Sequence, residues 1–206
     1  NPKYDPWDQR LCLVPNGDLF RGLADGSVSI LTDRILKFNE RGIDLESGAS
    51  IEADLIVTAT GLDLLPLGGI TFIVDGRTID LSDAVTYKGM MLSGIPNLLI
   101  AVGYTNASWT LKCDLTSQHF CKLLKFMDRN SYDYCVSNCS GDMPTAPVID
   151  FSSGYVERSI DRFPRQGARR PWKLYQNYFF DLFAIRFGSF RNRAIKFYKL
   201  PSNEKD

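Results

Sequence analysis

Asp54-Leu55-Ile56-Val57-Thr58-Ala59-Thr60-Gly61 and Pro96-Asn97-Leu98-Leu99-Ile100-Ala101-Val102-Gly103 decide the fold class. Each is a short, nearly unbroken apolar run that ends in a glycine. Runs of this length and composition predict strands covered on both faces, as in a parallel sheet. The second leads into Tyr104-Thr105-Asn106-Ala107-Ser108-Trp109, a turn that opens a helix predicted over 106–127. The fold class read from these segments is α/β.

Around the two strands the pattern changes. Residues 34–39, 42–45 and 51–53 read as a small antiparallel β meander, with Arg41-Gly42 and Ser47-Gly48 at the turns. Residues 18–24 suggest a short helix and 27–32 a strand. The Leu-, Gly- and Pro-rich stretch 62–69 reads as a crossover between domains, and 71–74 with 78–81 as a hairpin around Asp75-Gly76. In the long helix, Phe120, Leu123, Leu124 and Met127 mark an expected core face. Residues 131–148 read as loop. A second helix is expected over 172–187, with Trp172, Tyr175, Tyr178, Phe179 and Phe183 broadly buried.

Composition narrows the function classes. The 206 residues carry 24 basic and 24 acidic side chains, so the overall charge points to no particular partner. The balance is uneven, however. Between Arg158 and Lys199 there are eleven Lys and Arg against two acids, Asp161 and Asp181. Such a segment is either a solvated face, a surface facing phosphates or another part of the protein, or a patch for nucleic acid or an anionic membrane. Five cysteines, odd in number and scattered, are not a disulfide framework and suit a reducing, cytoplasmic compartment. Cys135 and Cys139 lack a second ligand pair, so no metal site is expected. His119, the single histidine, sits within the long helix without a nucleophile motif, which argues against histidine-based acid–base catalysis. No apolar run is long enough to span a bilayer.

The candidate site residues fall where the strands end. Small residues Thr58, Ala59, Thr60 and Gly61 let a ligand or a crossing chain approach the backbone. At Gly103, Tyr104, Thr105, Asn106, Ala107, Ser108 and Trp109, the free N–H groups and positive end of the helix favour negative charge. Spacing alone also fits an ordinary strand-to-helix turn. Arg10, within Trp7-Asp8-Gln9-Arg10, can stabilise an oxyanion or pair with a nearby aspartate.

Taken in order, Tyr4-Asp5-Pro6-Trp7-Asp8-Gln9-Arg10-Leu11, the Asp54–Leu62 strand, Tyr87-Lys88-Gly89-Met90-Met91-Leu92-Ser93-Gly94-Ile95-Pro96-Asn97 and Gly103–Lys112 resemble the C-terminal part of flavin-containing monooxygenases of the Baeyer–Villiger class. The type that the chain resembles most is the ethionamide-activating one. Gly154-Tyr155-Val156 and the segment from Gln166-Gly167 to Pro171-Trp172 extend the likeness over nearly the whole chain.

The resemblance implies a Rossmann-like enzyme with two dinucleotide-binding domains, FAD and NADPH. Residues 1–61 would end the NADPH-binding domain, and 62–206 would belong to the FAD-binding domain with its helical, basic tail. Ala59-Thr60-Gly61 matches the family's interdomain junction, Gly103 to Trp109 would lie by the isoalloxazine ring, and Arg10 matches an active-site arginine. The implied reaction uses O2, through a flavin C4a-peroxide, to turn ketones into esters or to oxidise thioether or thioamide sulfur. The family's FAD and NADP glycine fingerprints and its signature motif do not occur in these residues. The chain is therefore expected to be a C-terminal fragment, inactive without its N-terminal half. The partners expected are that half, the small-molecule substrate and O2, with no nucleic acid, and a peripheral membrane contact through the basic tail is the remaining option.

Overall fold

The computed structural model describes Asp5 and residues 12–139, 141–149 and 153–201. In chain order the elements are α1 (Asp18–Asp25), β1 (Ile35–Asn39), β2 (Gly42–Leu45), β3 (Ser50–Glu52), β4 (Phe72–Val74), β5 (Arg77–Ile79), β6 (Thr86–Tyr87), β7 (Met91–Leu92), α2 (Trp109–Asn130), β8 (Tyr134–Ser137), β9 (Thr145–Pro147), α3 (Gly154–Glu157), β10 (Arg165–Gly167), α4 (Tyr178–Arg186) and β11 (Ile195–Tyr198). The chain divides into two compact units, residues 1–63 with 152–157, and 64–151 with 158–206.

The first unit holds the meander. β1, β2 and β3 pair antiparallel in that order. Gly42 is required at the first turn. Its φ is 154°, and a Cβ there would lie 1.9 Å from the carbonyl oxygen of Ile51 on the neighbouring strand. The strand expected over 27–32 does not form. Val28, Ile30 and Leu31 are exposed, with no neighbouring strand among the described residues to pair with.

The apolar run at 55–59, expected as a buried strand, is also exposed. Leu55 is 80% and Val57 79% accessible, and among the described residues no backbone hydrogen bond is made from 55 to 61. A strand pattern becomes a strand only where a neighbour supplies the ladder.

The second unit carries the larger core. Its centre is Tyr87, Met90, Met91, Leu115, Leu123, Met127, Cys135, Trp172, Ile185 and Ile195. A smaller cluster joins Leu81, Ala84, Leu92 and Ile95. The run at 98–102 lies between them as an extended segment outside any sheet. Leu99 packs on the larger cluster and Leu98 and Ile100 on the smaller. The Ile100 amide donates to the Met90 carbonyl at 2.8 Å.

α2 starts at Trp109, three residues later than expected, and ends where Ser131 turns left-handed and its amide caps the last carbonyls. Its buried stripe is Lys112, Leu115, Thr116, His119, Leu123 and Met127. Phe120 and Leu124 of the expected core face lie outside it, at the solvent edge.

The region expected as loop contains two strands. β8 pairs antiparallel with β11, and β9 with β10. The second expected helix is shorter, because Gln176 adopts a left-handed φ of 48° and the Asn177 side chain accepts from the amides of Phe179 and Phe180, starting α4 there. Trp172 is buried as expected, but Phe179 and Phe183 are not. The sheets among the described residues are small and antiparallel, apart from one isolated parallel bridge between Val85 and Arg165.

Candidate functional site

The corner from Gly103 to Trp109 lies in the second unit and is held by its second residue. Tyr104 is buried, and its hydroxyl donates to the Asp181 carboxylate on α4 at 2.8 Å. The same oxygen accepts from the Lys112 ammonium at 2.7 Å. Lys112 belongs to the start of α2 and lies 5.6 Å from the centre of the Tyr104 ring. One carboxylate thus ties the turn, the start of α2 and α4 together. Burial, then the hydrogen bond and charge of Asp181, push the Tyr104 phenol well above its usual pKa, so that it keeps the proton it donates to Asp181.

Gln176 adds a second clamp. Its side-chain oxygen accepts from the Thr105 amide at 3.1 Å, and its carbonyl accepts from the Asn106 side chain at 3.1 Å. Asn106, Ala107 and Ser108 are exposed. Ser108 occupies the N-cap position of α2 without capping it, its hydroxyl being engaged with that of Thr110 at 2.8 Å. The first amides of α2 therefore keep their affinity for negative charge.

Trp109 accounts for the glycine at 103. A Cβ on Gly103 would lie 2.1 Å from Cγ of the indole and 2.6 Å from the Trp109 Cα. The ring occupies the near side of Gly103 while remaining 60% exposed itself. The polar edge from Asn106 to Ser108 stays open at this corner.

Thr58, Ala59, Thr60 and Gly61 belong to the first unit and form an exposed segment outside any helix or strand, with Gly61 at a φ of 101°. Arg10 lies outside the described residues.

Lys112 and Asp181 form the buried ion pair that sequence reasoning did not assign. A signal was present, since Asp181 is one of two acids in an otherwise basic stretch. Lys88 is a half-buried cation on the same side of the unit. Its ammonium donates to the Ala184 carbonyl at 3.4 Å and lies 5.6 Å from the centre of the Tyr87 ring, and burial together with the charges of Lys112 and Lys122 lowers its pKa to about 8. His119 is buried within α2, with neither ring nitrogen hydrogen-bonded among the described residues. Burial first, then the charges of Lys88, Lys122 and Lys112, lowers its pKa to about 3, so it is a neutral core residue. All five cysteines are free, and the described residues contain no group of His, Cys, Asp and Glu able to hold a metal ion. Among them no helix is long and apolar enough to cross a membrane.

No family model matches the chain. Comparison with curated proteins is decisive instead. The chain is 52% identical over 202 residues to the FAD-containing monooxygenase EthA of Mycobacterium tuberculosis, a match covering 98% of this chain and 41% of that protein. The chain belongs to the FAD-containing monooxygenase family. EthA of Mycolicibacterium smegmatis is 49% identical over 96% of the chain and 40% of its own length. A protein described as "Probable FAD-binding monooxygenase AlmA" from Acinetobacter baylyi is 43% identical, again over 96% of the chain and 40% of its own length. The chain thus spans about two fifths of the length of the curated relatives it matches.

Proposed function

We propose that the chain is the C-terminal part of an FAD- and NADPH-dependent monooxygenase of the Baeyer–Villiger type. Its substrates are ketones, or compounds with thioether or thioamide sulfur. The observation that most supports this reading is the 52% identity sustained across 98% of the chain. In this reading two Rossmann-like domains are completed by sequence that the relatives carry beyond the matched region. Residues 1–61 finish the NADPH-binding domain and 62–206 contribute to the FAD-binding one. The exposed aliphatic run at 55–59 then acquires neighbouring strands, and Ala59-Thr60-Gly61 forms the junction between the domains.

The polar edge of the Gly103–Trp109 corner fits a flavin. Asn106, Ala107 and Ser108 are accessible, backed by uncapped amides of α2, and fixed through Tyr104, Asp181, Lys112 and Gln176. FAD, when bound, supplies the oxygen-activating chemistry. The protein's share is positional and electrostatic. The helix start favours negative charge at that edge. The Tyr104–Asp181–Lys112 group holds the turn in register with α4. Trp109 limits approach at Gly103. Arg10 supplies the cation that steadies an oxyanion on the substrate.

The test is made on the protein with its whole coding sequence. Flavin absorbance in the purified material and NADPH oxidation dependent on an added ketone or thioether are expected. The 206-residue chain by itself is expected to retain no flavin and to oxidise no NADPH. A full-length protein without flavin, or turnover by the chain alone, overturns the reading.

A further inference from the structure

α4 is inverted relative to an ordinary surface helix. Tyr178, Leu182 and Ile185 pack into the larger core. On the opposite side Phe179, Phe183 and Phe187 are 67%, 61% and 74% exposed. They are spaced four residues apart and so form one stripe, with Phe180 beside it and the Phe183 and Phe187 rings stacked at 5.9 Å. A globular helix normally turns charged residues to this face. A contiguous apolar surface of this kind marks an interaction site.

The stripe adjoins a cleft of about 480 Å³ whose walls include Lys88, Arg170, Lys173, Tyr175, Phe180 and Arg193. The Arg170 guanidinium lies 4.8 Å from the centre of the Tyr175 ring and 5.8 Å from that of Phe180, and the Lys173 ammonium lies 5.5 Å from that of Tyr175. Among the described residues none of the four cations of the cleft has a carboxylate within ion-pair distance. Its one acid, Asp181, is already engaged by Tyr104 and Lys112. Four unneutralised cations thus border a row of phenylalanines.

We infer that α4 docks on an anionic phospholipid bilayer, with Phe179, Phe183 and Phe187 in the acyl boundary and a lipid phosphate in the cleft of Lys88, Arg170, Lys173 and Arg193. Aromatic rings beside Arg and Lys at one level are the composition that an interfacial helix needs. The cations beside the stripe, with no carboxylate within ion-pair distance among the described residues, favour an anionic surface as what covers it, and a free phosphate has no use for the stripe.

Flavin-loaded full-length protein is mixed with phosphatidylcholine vesicles, with and without phosphatidylglycerol, and bound protein is measured by flotation. Binding to the anionic vesicles only, weakened by salt, is expected. The triple substitution Arg170→Gln, Lys173→Gln, Arg193→Gln lowers it by roughly a hundredfold. The double substitution Phe183→Ser, Phe187→Ser lowers it by about tenfold or more. Unchanged flavin content shows that these variants fold. A Phe183→Trp variant reports the stripe directly, its added emission shifting to the blue only when vesicles are present. Four results overturn the inference: no vesicle binding, equal binding to neutral vesicles, saturation of the cleft by inorganic phosphate without vesicle binding, or an added emission from the Phe183→Trp variant that is already blue-shifted in buffer. The last means that protein, from the same chain or a second copy, covers the stripe.

Discussion

Leu98–Ile100 and Leu55–Val57 are chemically alike, each a branched aliphatic run leading toward a glycine, yet they meet opposite fates. Leu99 packs into the larger core and Leu98 and Ile100 into the smaller, with the Ile100 amide bonded to Met90. Leu55 and Val57 stand in solvent, with no backbone partner among the described residues. The difference lies in the surroundings. The first run is received by elements of its own unit, from β7 and the Leu81–Asp83 turn on one side to α2 on the other. The second has three short strands of a meander nearby in sequence, and these are already paired with each other. Leaving a Leu or Val side chain in water forgoes about 1.5–3 kcal/mol each. An apolar run kept at that cost is one whose cover comes from elsewhere. This is the physical content of the proposal that the longer relatives' remaining sequence completes this sheet.

The largest effect is expected on the buried side of the comparison. Asp181→Leu leaves the Lys112 ammonium buried without its counter-charge and removes the acceptor of Tyr104. A loss of about 3–5 kcal/mol is expected from breaking such a pair on one side. Adding Lys112→Met should restore most of it, because removal of both charges leaves neither uncompensated. Urea unfolding of the wild type, the two single variants and the double variant measures the coupling. If Asp181→Leu alone is neutral, the carboxylate does not tie the corner to α4.

Next comes a paired truncation that sets the two regions directly against each other. Leu115→Ala removes a fully buried side chain of α2 and is expected to cost about 2–5 kcal/mol. Leu55→Ala in the 206-residue chain should cost less than about 0.5 kcal/mol, as for a surface position. In the full-length protein the same Leu55→Ala change should rise to about 2–4 kcal/mol, because the run is then a covered strand. Thermal or urea unfolding of both lengths reads the contrast. Equal, small effects of Leu55→Ala in both would show that the run is never buried.

What could be read in advance follows the same division between local and distant partners. The meander was legible because its signals sit side by side, Arg41-Gly42 and Ser47-Gly48 marking the turns of strands that pair with their sequence neighbours. The long helix was legible from its period, but its inner face was not. Apolar residues cover too much of its circumference, and the stripe that packs inward contains Lys112 and His119. β8 was hidden because its ladder partner, β11, lies far along the chain and no nearby turn announces it. At the candidate site, the strand-to-helix corner could be read from Gly103 and the residues after it. The Lys112–Asp181 bond that fixes it could not, since it joins residues 69 apart. The role of Gly103 was half legible. The need for a glycine was plain, but what presses on it is the indole of Trp109, at the start of the helix.

The smallest effect concerns a buried group that the comparison also turns on. His119 lies on the core face of α2, and burial among lysine charges lowers its pKa to about 3. In the unfolded chain the imidazole takes up its proton near 6.5. As the pH falls below that value, the unfolded state binds a proton that the folded state refuses, and stability falls at about 1.4 kcal/mol per pH unit. Above it the two states agree and the slope vanishes. Between about pH 6.5 and 5, before the carboxylates begin to titrate, the loss should reach about 2 kcal/mol. His119→Phe keeps a ring against Tyr87 and Phe190, whose centroids lie 6.5 and 5.0 Å from that of the imidazole, and removes the titration. Its urea midpoint should therefore stay level across this window while that of the wild type declines. A variant with the same acid slope as the wild type would mean that His119 titrates normally, and that this part of the α2 core is as open to water as the run at Leu55.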